Sequence, residues 1–183
     1  MTFKHLEPQD YKYLYRITAE PTPLKSNCGE LCGSACCRPG QHGDLGMYLF
    51  PGEEIMFTRR EEWLVWEEHD PGDYDFPASW QGPVYFVRCN GACPREMRPL
   101  ACRFFPLAPH LHRDGRLQLI YETLELPYRC PLITADNSLD PGFINAVQQA
   151  WQIMLVDQRI RDLVEEDSRQ REEDELPVVP VFY

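Results

Sequence analysis

The sequence predicts an α+β fold in one small domain, with irregular cysteine-rich loops, short strands and a long C-terminal helix. Three observations carry this reading. A chain of 183 residues is long enough for one core and too short for two full-sized domains. Eight cysteines fall between residues 27 and 133, the first group in a stretch dense in glycine that favours turns. From about residue 140 the apolar residues take up helical spacing and hold it to about residue 166.

The elements follow in order. Residues 1–24 carry Tyr11, Tyr13 and Tyr15 and end in the proline-punctuated EPTPL, which reads as a lead-in or capping segment. From Cys28 to Gly46 the chain reads as an irregular loop. MYLF at 47–50 is a short strand stopped by Pro51. Residues 52–68 read as helix through a Thr58/Glu61 capping box, or as strand through the four apolar residues of WLVW. HDPGDYDFPASWQGP is a loop, and VYFV at 84–87 is a strand leading into Cys89. FPLAPHLHRDGRLQLIYE reads as two strands around a turn at Asp114-Gly115, with His110 and His112 on one face toward solvent. Asp140 as N-cap and Pro141 in the first turn open the helix. Phe143, Val147, Ala150 and Met154 line its buried face, joined by Ile144, Trp151 and Leu155. Residues 167–183 comprise a solvated acidic run and an apolar tail, PVVPVFY, which packs on its own domain or docks on a protein partner.

Charge narrows the function classes. With 29 acidic against 18 basic residues and all three lysines before residue 26, the chain lacks the basic face that nucleic-acid binding needs. No apolar run approaches the ~20 residues of a membrane helix, and the N-terminus has no apolar signal core. The expectation is a soluble, cytoplasmic protein with no nucleic-acid or membrane partner. In a reducing compartment, clustered thiols bind metal or do chemistry more often than they form disulfides.

The spacings are C-x3-C-x3-C-C at Cys28, Cys32, Cys36 and Cys37, C-x3-C at Cys89 and Cys93, then Cys102 and Cys130. Eight thiols match the ligand count of two tetrahedral zinc sites, or of one zinc and one iron–sulfur cluster. On one continuous helix Cys28 and Cys36 would stand about 12 Å apart, whereas sulfurs sharing a zinc lie at most ~4.6 Å apart. Either Gly29 and Gly33 wrap the loop around one ion, or the spacing feeds two nearby sites. In an extended segment Cys36 and Cys37 would point to opposite sides and serve different metals. A disulfide between them would be a strained ring.

Arginine adjoins cysteine four times, as Arg38, Arg88, Arg103 and Arg129, and residues 88–116 hold six arginines against Glu96 and Asp114. Guanidinium groups offset the negative charge of a thiolate centre and lower thiol pKa. Arg98 and Arg103 in RPLACRF are further candidates for hydrogen bonding beside bound sulfur. His42, five residues beyond Cys37, is a candidate alternative ligand.

The CGELCGSACC cluster, the CNGACP pair, RPLACRFFPL and RCPL together resemble the YkgJ-like cysteine-cluster family, the zinc- or iron-chelating CxxCxxCC proteins. The resemblance spans roughly residues 27–133 and includes MYLFPGEE. The gaps here are three residues where the family's short form has two. The resemblance implies metal chelation, with all eight cysteines falling on cysteine-bearing motifs of the family, and does not supply a reaction.

The leading expectation is a metal-binding protein with Zn2+ or an iron–sulfur cluster, or one of each, in its cysteine-rich loops. Two alternatives stand beside it. One is an iron–sulfur redox enzyme or a metal-thiolate transferase; the other is a thiol redox sensor. The chain has no G-x-S-x-G elbow and no phosphate-binding G-x-x-x-x-G-K-[ST] loop, and its first cluster does not match the C-x3-C-x2-C of radical enzymes that use S-adenosylmethionine.

Overall fold

Helices at both ends of the chain enclose two small antiparallel sheets, in a computed structural model that describes residues 4–37, 45–90, 93–133 and 138–181. The N-terminal segment is no lead-in. It forms α1 (Pro8–Ile17), and its Tyr11, Leu14 and Tyr15 belong to the main core. Tyr11 and Tyr15 stand four apart on one helical face, while Tyr13 is partly exposed. The helix is seated by the Tyr11 hydroxyl, which donates to the Pro51 carbonyl at 2.9 Å.

Next come α2 (Gly29–Cys32), a 3-10 turn at Ala35–Cys37, and β1 (Gly46–Tyr48). The predicted strand at 47–50 is thus shorter and begins one residue earlier. Residues 53–56 make a 3-10 turn, and WLVW enters β2 (Leu64–His69), so the strand alternative was right. The Thr58/Glu61 pairing does form, with Thr58 N at 2.7 Å and Oγ1 at 2.9 Å from Glu61 Oε1. It closes a turn rather than starting a helix, because β2 pairs along its whole length with β3 (Val84–Cys89). The first sheet has the order β1-β3-β2, all antiparallel.

A five-residue helix, α3 (Leu100–Phe104), leads into the hairpin of β4 (Leu107–Leu111) and β5 (Leu117–Tyr121), which turns at the Asp114-Gly115 pair as expected. The histidines correct one expectation. His110 is buried, 2 % exposed, because the C-terminal helix covers β4: Ser168 Oγ accepts from Leu111 N at 2.9 Å. The His110 and His112 rings do share a face, at 5.0 Å between centroids.

The predicted C-terminal helix is two helices, α4 (Pro141–Met154) and α5 (Gln158–Glu173). Asp140 caps the first as expected, accepting from Gly142 N and Phe143 N. The break lies at Asp157, whose fully buried carboxylate caps α5 through Arg159 N, binds the Arg159 side chain and accepts from Leu6 N at 2.8 Å. Part of the acidic run is therefore helical, with Val164, Ser168 and Arg171 buried on a face that continues from Ile160. The Phe143, Val147, Ala150 and Met154 face is buried as predicted. Each large apolar side chain there contributes about 1.5–3 kcal/mol by leaving water. The tail returns to the domain: Val181 N donates to Leu119 O and Tyr121 N to Val179 O, covering the free edge of β5. No helix among the described residues is long and apolar enough to cross a membrane.

Candidate metal centre

All eight cysteines line one cavity of about 270 Å³. They arrive from four separate segments, and none is in a disulfide. Cys28 and Cys32 sit one helical turn apart about α2, a spacing that puts both side chains on the same side. The helix stops at Gly33, with φ 62°, and Ser34 follows at φ 59°. A left-handed pair of this kind reverses the chain where continued helix would carry Cys36 away. The chain thus turns back at Gly33 instead of running on as one helix from Cys28 to Cys36.

Cys36 and Cys37 then lie in a 3-10 turn rather than an extended segment, and their sulfurs are 3.7 Å apart. The premise that they face opposite ways does not hold. Two sulfurs bound at ~2.3 Å to one tetrahedral ion would be about 3.8 Å apart, so the spacing itself suits a shared ion or two adjoining ones.

The second sulfur group is held by regular structure. Cys89 ends β3. Met47, on the neighbouring β1 opposite Val87, places its thioether 2.9 Å from Cys102 Sγ, which α3 delivers. Cys93 lies within hydrogen-bond reach of both Cys37 and Cys89 and accepts from Arg98 Nε at 3.3 Å. Contacts from Cys37 and then Cys89 hold Cys93 far below the usual thiol range, while Cys37 and Cys89 are driven up as the donors of those contacts. The hydrogen bond from Cys37 brings Cys36 down to about 7. Burial, then the Cys93 charge, pushes Cys102 up to about 12. Burial also raises Cys28 and Cys130.

The arginines divide by geometry. Arg98 touches a thiol, Cys93, and Arg95, which carried no signal in the sequence, also lines the cavity, as does Arg103. Arg88 pairs instead with Glu67, because successive strand residues face opposite ways and Cys89 takes the cavity side. Arg103 is buried as a structural tie. It donates to the carbonyls of Arg98, Glu96 and Tyr15 and to Thr18 Oγ1, over the Tyr15 ring at 4.3 Å. Arg129 is exposed. Arg38 and His42 lie outside the described residues.

Behind α3 sits Glu53, fully buried. Its Oε1 accepts from Tyr15 OH at 2.8 Å and Leu100 N at 2.7 Å, and its Oε2 from Phe50 N at 3.0 Å. Burial raises its pKa against those three bonds. Leu100 N is a first-turn donor with no partner inside its helix, so Glu53 fixes the start of the element that presents Cys102. Only MYLFPGEE pointed to this residue, without indicating its role. Tyr128, also unforeseen, stands near both sulfur groups, its pKa raised by burial and by Cys36, Cys130, Cys102 and Cys37.

The donor set is chemically suited to a thiophilic metal or cluster: many soft sulfurs gathered on one cavity, with a guanidinium hydrogen bond to Cys93. Among the described residues, no three His, Cys, Asp or Glu side chains already stand where one ion could be held. No family model matches the chain, and neither does any curated protein or solved structure searched.

Proposed function

We propose that this chain is a metal-binding protein that holds zinc or an iron–sulfur cluster through its clustered thiolates. The observation that carries the reading is the convergence of all eight cysteines, from segments up to a hundred residues apart, on one cavity beside the Arg98 guanidinium. Chance would scatter thiols brought by a loop, a strand end, a helix and a turn. The resemblance to the YkgJ-like family, read from the same cysteines, supports the same conclusion. Arg98 would offset thiolate charge through Cys93, and α3, anchored by Glu53, would hold Cys102 in position. When bound, the metal would tie together loops that bury little apolar surface of their own.

The test is anaerobic purification followed by zinc, iron and sulfide quantification and a visible spectrum. Two zincs in a colourless protein, or about four irons in a brown one, support the reading. A metal-free protein with an intact fold refutes it.

An enzyme is the second reading, favoured by one observation. The cavity adjoins an open groove of about 520 Å³ lined by Leu124, Leu126, Tyr128 and Cys130, which gives a ligand a path to the sulfurs.

A further inference from the structure

The cavity holds a sulfur that is not a cysteine's. Met47 lines it, and the Met47 thioether accepts from the Cys102 thiol at a sulfur–sulfur distance of 2.9 Å. Strand register explains the position. Met47 pairs with Val87, and paired residues of antiparallel strands share a face, as do residues two apart on one strand. Met47, Val87 and Cys89 therefore look the same way. That way is inward, because Val87 is buried and so is Leu64, the strand partner of Cys89. Tyr48, the next residue, takes the opposite face among His69, Phe76 and Phe86. Cys102 arrives over the inward face on α3, so sheet and helix each contribute one sulfur to the contact. A methionine that only fills space needs no polar partner for its sulfur. This one receives a thiol hydrogen at the wall of a cavity that eight cysteines also line.

We propose that Met47 and Cys102 form a thioether–thiolate pair that binds copper(I) at the wall of the cavity. This goes beyond zinc or an iron–sulfur cluster and rests on the same premise, that the clustered thiols hold metal. The choice of ion follows from the donors. Zinc is bound by thiolate, imidazole and carboxylate, and a neutral thioether adds nothing to the charge that a divalent ion needs. Copper(I) is soft and monovalent, so thiolate and thioether suit it and one thiolate balances its charge. Binding replaces a proton. The ion takes the place of the Cys102 hydrogen between the two sulfurs, the proton leaves to solvent, and no electron is transferred. Sulfurs that share an ion at bonds of ~2.3 Å stand about 3.8 Å apart, so the pair opens by about 1 Å. Rotation of the unbranched methionine side chain supplies that opening.

The experiment compares two metals on one variant. Reduced full-length protein, wild type and Met47→Leu, is titrated anaerobically with copper(I) against bicinchoninate and with zinc against a chromophoric chelator. Leucine keeps the apolar bulk and removes the sulfur. The expected result is a copper(I) affinity lower by about 10–100-fold in the variant, with zinc affinity unchanged. An unchanged copper(I) affinity, or an equal loss for both metals, overturns the proposal. A second measurement needs no substitution. In selenomethionine-labelled wild type carrying a single equivalent of copper(I), X-ray absorption should show selenium bound to copper; a copper shell without selenium overturns the proposal. A wild-type protein that takes zinc or carries iron but does not bind copper(I) overturns this inference alone. One that binds none of the three refutes the metal-binding reading itself.

Discussion

Replacing Glu53 with alanine tests whether a single buried carboxylate holds the sulfur-bearing wall to the helical core. Three donors converge on it, from Tyr15, Leu100 and Phe50, at 2.7–3.0 Å. Each donor left buried without an acceptor costs about 1–3 kcal/mol. Partial relaxation and water entry keep the sum in the lower half of that range, so Glu53→Ala should cost about 3–6 kcal/mol. That is a large part of the ~5–15 kcal/mol stability of an ordinary domain. For a chain of this length it corresponds to a melting temperature lower by about 6–24 °C. Glu53→Gln is the finer instrument. An amide can keep its oxygen toward Tyr15 and Leu100, but its NH2 then faces the Phe50 N–H, so one donor is lost and two are opposed, about 1–3 kcal/mol. Urea unfolding followed by tryptophan fluorescence reads both, because Trp151 packs against Phe50 and Phe104 at ring distances of 5.5 and 5.3 Å. An Ala variant within about 1 kcal/mol of wild type, or a Gln variant less stable than the Ala one, would refute the reasoning.

Asp157→Asn should cost about 3–5 kcal/mol at pH 7, since it leaves Arg159 without its buried partner. Burial pushes the Asp157 pKa up, but the Arg159 and Leu6 hydrogen bonds outweigh it, and the folded value lies below the unfolded one. Its contribution is therefore complete above the unfolded pKa and is lost as pH falls through the folded one, so the gap between the urea midpoints of wild type and variant should be full at pH 7 and narrow progressively in acid. Gly46→Ala would set a methyl 2.4 Å from the Phe86 ring and 2.6 Å from Val87 O, forcing β1 away from β3 at about 1–3 kcal/mol in thermal unfolding. Arg98→Met, if thiolates at Cys93 bind metal, should weaken metal affinity by about 10–100-fold in a competition titration with a chromophoric chelator. An unchanged affinity would show that the guanidinium contact is incidental.

Local signals read well where local chemistry decides. Asp140 and Pro141, the Asp114-Gly115 turn and the VYFV strand each carry their cause within a few residues, and each element stands where its signal put it. The fold class followed from them. The misreadings have a common origin in contacts between distant segments. Asp157 divides the predicted long helix because it also binds Leu6, 151 residues away. His110 is buried because α5 lies over β4, which no pattern within the hairpin announces. Tyr11 and Tyr15 needed a helical reading, in which Leu14 joins them on the buried face and Tyr13 turns outward. In the candidate site, cysteine identity and spacing were legible, and so was Arg98. Adjacency in sequence misled for Arg88, since strand alternation aims it away from Cys89, while Arg103 lines the cavity but commits its guanidinium to backbone carbonyls. Met47 and Arg95 carried no signal short of the fold.

The Asp157 clasp also orders events during synthesis. The N-terminal strap at Leu6 has no partner until residue 157 has emerged, after all eight thiols are already outside the ribosome. At ~5–20 residues per second, the interval from Cys28 to Asp157 is roughly 6–26 s. Every residue lining the sulfur cavity lies between Thr18 and Leu132, so the walls of that cavity are synthesised before the clasp can close. The clasp makes the joining of the two ends of the chain a late step in translation, taken after the cysteine-bearing part of the fold has already been synthesised.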